Sequence, residues 1–210
     1  MFYAAFDIGN VLCNVDFSYF LKKMEEHINV PENIGMAFLN RLQKAQDLGL
    51  TTVREELHIQ HPKYDFIFDE LITEWNQSVT INKFSQKALN SIIKKANKFD
   101  KINIALLSNI GTEHSSIIGN ILGKTIYDNS VKHFSCEVGA RKPTKLYYQS
   151  FLMQYPEFKG CVYVDDRQEN LITGNEFGFD SIHLDIEKCN SANELKLKWE
   201  FIDKMIFQKH

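Results

Sequence analysis

The 210-residue chain is short of the features that mark several protein classes. It has four prolines and four cysteines. Cys13, Cys136, Cys161 and Cys189 are irregularly spaced and form no CxxC pair, so neither a zinc site nor a disulfide framework is expected, and buried reduced thiols are. No apolar run approaches the roughly 20 residues that a membrane-spanning helix needs. Positive charge is not in excess: 24 Lys and Arg face 27 Asp and Glu, for a formal net charge of -3. That balance gives no support to nucleic-acid or membrane-surface binding. The opening MFYAAFDIGN has no basic segment and turns acidic at residue 7, so it is read as a first strand and not a signal peptide, with a cytoplasmic location expected. Repeats, low-complexity runs and obvious linkers are also lacking, and no feature sets an oligomeric state.

What remains is ordinary globular composition, 44% hydrophobic and 24% charged. Short apolar runs alternate with helical stretches, a pattern that predicts an α/β fold with a mostly parallel, Rossmann-like sheet covered on both faces. The expected strands are 2–6, 102–107, 131–135, 161–164 and 181–184. They are mostly apolar rather than cleanly alternating, as expected for strands buried on both faces. Phe84, Ala88, Leu89, Ile92, Ile93 and Ala96 recur at helical spacing. Thr144 is expected to cap a helix reaching about Met153. A further helix is expected from Arg167 to Phe177, ended by Gly178. Leu195, Trp199 and Ile202 mark an amphipathic C-terminal helix.

Between the first strand and residue 82 the sequence offers helices and no convincing strand. Leu48-Gly49-Leu50 reads as a turn, and Thr52 to Glu55 as a capping box. The organisation expected is a core of residues 1–14 and 82–210 with a small helical cap, residues 15–81, inserted after the first strand. In open α/β sheets ligands sit at the carboxyl ends of the strands, where such a cap would exclude water. Trp75, Arg54, Gln46 and His58 lie in this segment and are expected to serve packing or the solvated surface.

Four segments place polar groups just past an apolar run. Asp7 follows the first strand and precedes Gly9, a position for a nucleophile, a metal ligand or a turn cap. Ser108 and Asn109 end the second; they suit phosphate oxygens or a helix cap. Lys142 stands before Pro143 in Gly139-Ala140-Arg141-Lys142-Pro143, where it is either a solvated lysine or a neutraliser of acid and phosphate. Asp165 and Asp166 end the strand Val162-Tyr163-Val164, with Asn170 beyond. Adjacent carboxylates at the end of a buried strand are costly unless a positive group sits beside them, and a hard cation with oxygen ligands answers that need.

Taken in order, FDIGNVL, LLSN, GARKP and YVDDRQEN resemble the four motifs of the haloacid dehalogenase (HAD) superfamily, over nearly the whole chain. They are most like the bacterial phosphatases that act on alpha-glucose 1-phosphate and related sugar phosphates. The resemblance implies a magnesium-dependent phosphatase acting on a small-molecule phosphate ester. Asp7 would attack phosphorus and form an aspartyl-phosphate. Ser108 and Asn109 would bind the phosphoryl group through hydroxyl and backbone N–H. Lys142 would hold Asp7 and phosphate together. Asp7, the Gly9 carbonyl and Asp166 would ligate Mg2+, with Asp165 acting nearby through water or by pairing with Lys142, and Asn170 orienting the loop.

One position departs from the pattern. Most phosphatases of the superfamily carry a second Asp two residues after the nucleophile, where this chain has Gly9. General acid–base help of that kind is worth about 10²–10⁴-fold. Three readings stay open: turnover by another route, as in the subgroup that shares the DxGN form; a contribution from Asp16, whose other reading is a helix cap before Phe17; or a slow phosphatase or phosphate-binding protein. A 2-haloacid dehalogenase, which also lacks the second Asp and needs no metal, is a further alternative, against which the Asp165–Asp166 pair argues.

Overall fold

A computed structural model describes residues 1–98 and 101–208. Its centre is a five-stranded parallel sheet in the order β5-β4-β1-β6-β7. The strands are β1 (Phe2–Phe6), β4 (Ile102–Ser108), β5 (Ser130–Phe134), β6 (Val162–Asp165) and β7 (Asp180–His183). All five expected strands are present, displaced at most one residue at either end. Successive residues feed opposite faces. Phe6, Ile104, Leu106, Val162 and Val164 point into one layer with Trp199 and Ile202. Ala5, Ala105, Leu107 and Tyr163 point into the other, with Tyr147, Tyr148 and Phe151. The small alanines on the second face leave room for these large rings, as close packing requires.

The core helices are α5 (Lys83–Ala96), α6 (Thr112–Leu122), α7 (Lys124–Tyr127), α8 (Ser135–Val138), α9 (Lys145–Gln154), α10 (Gln168–Glu176) and α11 (Ala192–Gln208). The expected stripe on α5 buries Leu89, Ile92, Ile93 and Ala96. Thr144 does stand at the N-cap of α9, but its hydroxyl donates to the Arg141 carbonyl and does not cap the helix. No helix of the described residues is long and apolar enough to cross a membrane.

The insertion after β1 is the expected helical cap, formed by α1 (Ser18–Ile28), α2 (Glu32–Gln46), α3 (Val53–Gln60) and α4 (Phe68–Gln77). Phe20, Met24, Leu42, Leu57, Phe68, Leu71 and Trp75 give it an apolar core of its own. Thr52 and Glu55 make both halves of the capping box that starts α3. The expectation of no strand before residue 82 is wrong. β2 (Cys13–Val15) and β3 (Val79–Ile81) pair antiparallel, Cys13 opposite Ile81 and Val15 opposite Val79. Three-residue strands are too short to show a period, and only their pairing creates them. This ribbon ties together the two chain crossings between core and cap, and straddles the expected boundaries at 14/15 and 81/82.

The turn at Leu48-Gly49-Leu50 requires its glycine. Gly49 has φ of 68°, and a Cβ there would lie 2.5 Å from the Cys136 carbonyl oxygen of the core. Gly139 has a similar φ of 65° but no heavy atom within 4 Å of a would-be Cβ. Gly139→Ala is therefore expected to cost about 1 kcal/mol for backbone strain alone. Gly49→Ala should cost about 1–3 kcal/mol more, because the turn must also move off the core. Urea melts of both variants check this; equal losses would mean that the turn is not held against Cys136.

Candidate active site

The parallel register brings the ends of three strands to one edge. Phe6 lies beside Leu106 on one side and Val164 on the other, so Asp7, Ser108 and Asp165 emerge together at the carboxyl end of the sheet. Lys142 reaches this edge from the loop between β5 and α9. Its backbone is clamped by Asn109, whose amide donates to the Lys142 carbonyl at 2.9 Å and accepts from its N–H at 2.8 Å.

The Lys142 ammonium is fully buried. It donates to the Leu107 carbonyl at 2.6 Å and to Asp165 Oδ2 at 2.6 Å, and lies 3.1 Å from Asp7 Oδ1. Two hydrogen bonds and one ion pair hold the ammonium. Burial works against its charge, but Asp165 and Asp7 outweigh that and hold its pKa above the usual lysine value. Lys142 thus stands beside Asp7, one of the two groups it is expected to hold together.

The two aspartates beside it differ. Asp165 is saturated: Oδ2 accepts from Lys142 and the Tyr163 hydroxyl, and Oδ1 from the Arg167 N–H and the Asn170 amide, each at 2.9 Å. The geometry thus favours the pairing role expected for Asp165 over direct ligation of a metal. Asn170 makes this contact from the first turn of α10. Asp7 instead gathers its contacts on Oδ1, from Lys142 and from the Ile8 N–H at 2.7 Å. Among the described residues nothing donates to its Oδ2. Burial, with Asp165 and Asp166 adding to it against Lys142, pushes Asp7 up to about 7. Burial and Asp165 raise Asp166 to about 6. Among the described residues its side chain has one hydrogen bond, from the Asn10 amide at 3.4 Å.

One oxygen each from Asp7, Asp165 and Asp166 lie within 4.8 Å of one another. Two trans ligands of an octahedral magnesium ion stand roughly 4.2 Å apart, so the cluster is close to the right size. The under-bonded Asp7 and Asp166 carboxylates, and the buried Asn170 Oδ1 that accepts no hydrogen bond, are oxygen acceptors of the kind that ion takes. The residues present therefore fit a magnesium ion.

Two cavities meet at this edge. The polar one, about 230 Å³, is bordered by Asp7, Gly9, Asn10, Asp166, Asn170, Arg141 and Arg167 among others. The second, about 90 Å³, runs under the cap between Phe17, Gln46, Trp75, Val79, Ile110 and His114. Ser108 and Asn109 border both, but the Asn109 side chain is occupied by Lys142, leaving Ser108 as the hydroxyl. Trp75 and Gln46 pack as expected and also line the inner cavity. Arg54 and His58 are exposed. Asp16 is exposed too, accepting from the Ser18 N–H ahead of α1, and borders neither cavity. The sequence reading passed over Asp47, Gln43 and Arg167. Asp47 precedes a glycine turn, where Asp is ordinarily read as turn chemistry.

Two variants test the electrostatics in protein stripped of metal with EDTA. Lys142→Met leaves Asp165 buried without its cation and should cost about 3–5 kcal/mol, a fall in Tm of roughly 6–20 °C. Asp7 has a raised pKa in the folded state, so its contribution is intact below about pH 4 and is lost as pH rises through 7. Asp7→Asn should therefore match wild type at about pH 4 and exceed it by roughly 1–3 kcal/mol at pH 8. Denaturant melts at the two pH values give the answer; a less stable Asp7→Asn at pH 8 would refute it.

No family model and no curated protein matches the sequence. Solved structures do match the fold. A HAD family enzyme from Bacteroides thetaiotaomicron, solved with magnesium and inorganic phosphate, superposes with a TM-score of 0.70 at 18% identity, covering 91% of this chain and 98% of that one. A predicted HAD-like family hydrolase from Porphyromonas gingivalis gives 0.67 at 16% identity, covering 94% and 97%. An L-2-haloacid dehalogenase gives 0.59 at 12% identity, covering 96% and 99%. The chain has the fold of HAD family enzymes: a parallel sheet with a helical cap over its carboxyl edge.

Proposed function

We propose that the protein is a magnesium-dependent phosphatase of the HAD type, acting on a small phosphate monoester such as a sugar phosphate, with residues 15–81 as the cap over the site. The observation that carries this is the Asp7 carboxylate, with one oxygen held by Lys142 and the other unbonded, beside the under-bonded carboxylate of Asp166. Asp7 Oδ2 attacks phosphorus, and an aspartyl-phosphate forms. Bound magnesium would supply charge that lets two anionic groups meet, held by Asp7, the Gly9 carbonyl and Asp166. Lys142 fixes the direction of Asp7 through Oδ1. Ser108 donates its hydroxyl to the phosphoryl oxygens, and Arg141 and Arg167 add positive charge to the cavity wall. The cap keeps bulk water from the inner cavity, where the leaving group lies. Four free cysteines suit the reducing conditions of the cytoplasm.

Gly9 and the dehalogenase-like fold favour a second reading, halide release from a 2-haloacid without metal. A third is phosphate-ester binding without turnover. Assays with p-nitrophenyl phosphate, a sugar-phosphate panel and 2-chloropropionate separate the three. We expect phosphate release that EDTA abolishes and magnesium restores, and a loss of at least about 10³-fold in Asp7→Asn. EDTA-insensitive halide release would establish the second reading; thermal stabilisation by phosphate without turnover would establish the third.

A further inference from the structure

The proposed reaction needs a proton donor for the leaving group and a base for the attacking water, and Gly9 has no side chain to serve. Nothing in the backbone demands glycine there. Its φ is not positive, and a Cβ would make only an ordinary 3.4 Å contact with Val15. The missing carboxyl group is therefore a difference in chemistry, and another part of the molecule has room to provide it.

Six residues border both cavities: Gly9, Val15, Gln43, Asp47, Ser108 and Asn109. Asp47 is the one carboxylic acid among them. It sits at the junction where the phosphoryl group and the leaving group part. Asp16, the acid nearer in sequence, borders neither cavity.

Asp47 is also held firmly in place. The segment that carries it, from the end of α2 to the start of α3, is docked on the core at four points. Gly49 lies against the Cys136 carbonyl, and Gln46 lies over Gly111. The Glu113 carboxylate accepts from the Gln46 amide at 2.6 Å and from the Val53 N–H at 2.7 Å. Asp47 Oδ2 lies 2.8 Å from Arg141 Nη2. Among the described residues no hydrogen bond or ion pair uses its Oδ1.

We propose that Asp47, contributed by the cap, is the general acid and base of the reaction in place of the carboxyl group that Gly9 lacks; this rests on the phosphatase reading above. In the first step Asp7 Oδ2 bonds to phosphorus. The bond from phosphorus to the leaving oxygen breaks, its electron pair stays on that oxygen, and the Asp47 carboxyl proton is transferred to it. In the second step the Asp47 carboxylate takes a proton from water. The water oxygen bonds to phosphorus, and the bond to Asp7 breaks with its electron pair returning to the carboxylate. Phosphate leaves and Asp47 is again protonated. The charged and titratable groups facing Asp47 are Arg141, Lys142 and Arg167, with the Cys136 thiol nearby. Burial outweighs the three cations and raises Asp47 to about 6, so both of its protonation states are accessible near neutral pH.

The test compares p-nitrophenyl phosphate and phenyl phosphate, which have similar shapes, in the full-length, magnesium-loaded protein. Phenol has a pKa of about 10, like tyrosine, and needs a proton to leave; p-nitrophenol is far more acidic and does not. Asp47→Asn keeps the shape, and Arg141→Gln removes the ion pair but keeps the carboxyl group. In Asp47→Asn we expect p-nitrophenyl phosphate to give a burst near one equivalent per enzyme, with the phosphoryl adduct visible by intact mass. Steady-state turnover should then fall by about 10²–10⁴-fold. Phenyl phosphate should show no burst, and Arg141→Gln should keep the wild-type dependence on leaving group. Asp47→Asn turning over both substrates within tenfold of wild type would overturn the proposal. So would equal losses on both substrates, without a burst, in Asp47→Asn and Arg141→Gln alike, since Asp47 would then act only as an ion-pair partner. A wild type that releases phosphate from neither substrate would remove the phosphatase reading itself, and this inference with it.

Discussion

The structure of the site depends on one buried ammonium group. Lys142 lies between Asp7 and Asp165 with no exposure to solvent, and its ammonium touches three oxygens from three parts of the chain. A charge in such a place is costly unless it is fully paired. Here the pairing links the ends of β1, β4 and β6, so the same contacts that satisfy the lysine set the spacing of the strand ends. Asn109 fixes the loop that delivers it. The carboxyl edge is thus held by electrostatics above the sheet, in addition to the apolar layers on either face.

The cap is attached to the core by different physics in different places. The β2–β3 ribbon carries both crossings and supplies backbone pairing. The segment from Gln46 to Val53 is fixed by a carboxylate, an ion pair and a glycine pressed on a carbonyl. The apolar core of the cap is its own, so its helices do not need the sheet to bury their faces. What the core controls is where the end of α2 sits, and that end carries the polar groups that look into the site.

How much of this was legible in the sequence follows from how local each signal is. The strands β1, β4 and β6 were readable because largely apolar runs bounded by polar residues reflect burial on both faces. Asp7, Ser108, Lys142 and Asp165–Asp166 were readable because each stands just past such a run. The capping box at Thr52 and Glu55 is a four-residue pattern with its mechanism inside it. The β2–β3 ribbon was not readable, since three residues carry no period and the partner is more than 60 positions away. Nor were Asp47 and Arg141 as a pair: one reads as a turn residue and the other as a surface cation until the fold joins them. The Lys142 contacts were half legible. Its acidic partners were anticipated, but the Leu107 carbonyl, to which it also donates, is a backbone group with no residue-type signal.

Asp165 and Asp7 are the same residue type on adjacent strand ends, and their surroundings give them opposite characters. Asp165 accepts from four donors and orients Lys142, Asn170 and the loop after β6. Asp7 has the same cation but two donors on a single oxygen, and its burial leaves it poised near neutrality. A carboxylate with every lone pair used is a poor nucleophile and a poor ligand; one with an oxygen to spare is suited to both tasks. Among three acids and one ammonium the net charge is negative, and the protein alone does not neutralise it. Any cation or proton that enters the cluster is therefore drawn to Asp7 and Asp166, because Asp165 has no vacancy to offer. The division of labour is set by the hydrogen bonds around each carboxylate, and the fold distributes those bonds unevenly where the sheet ends.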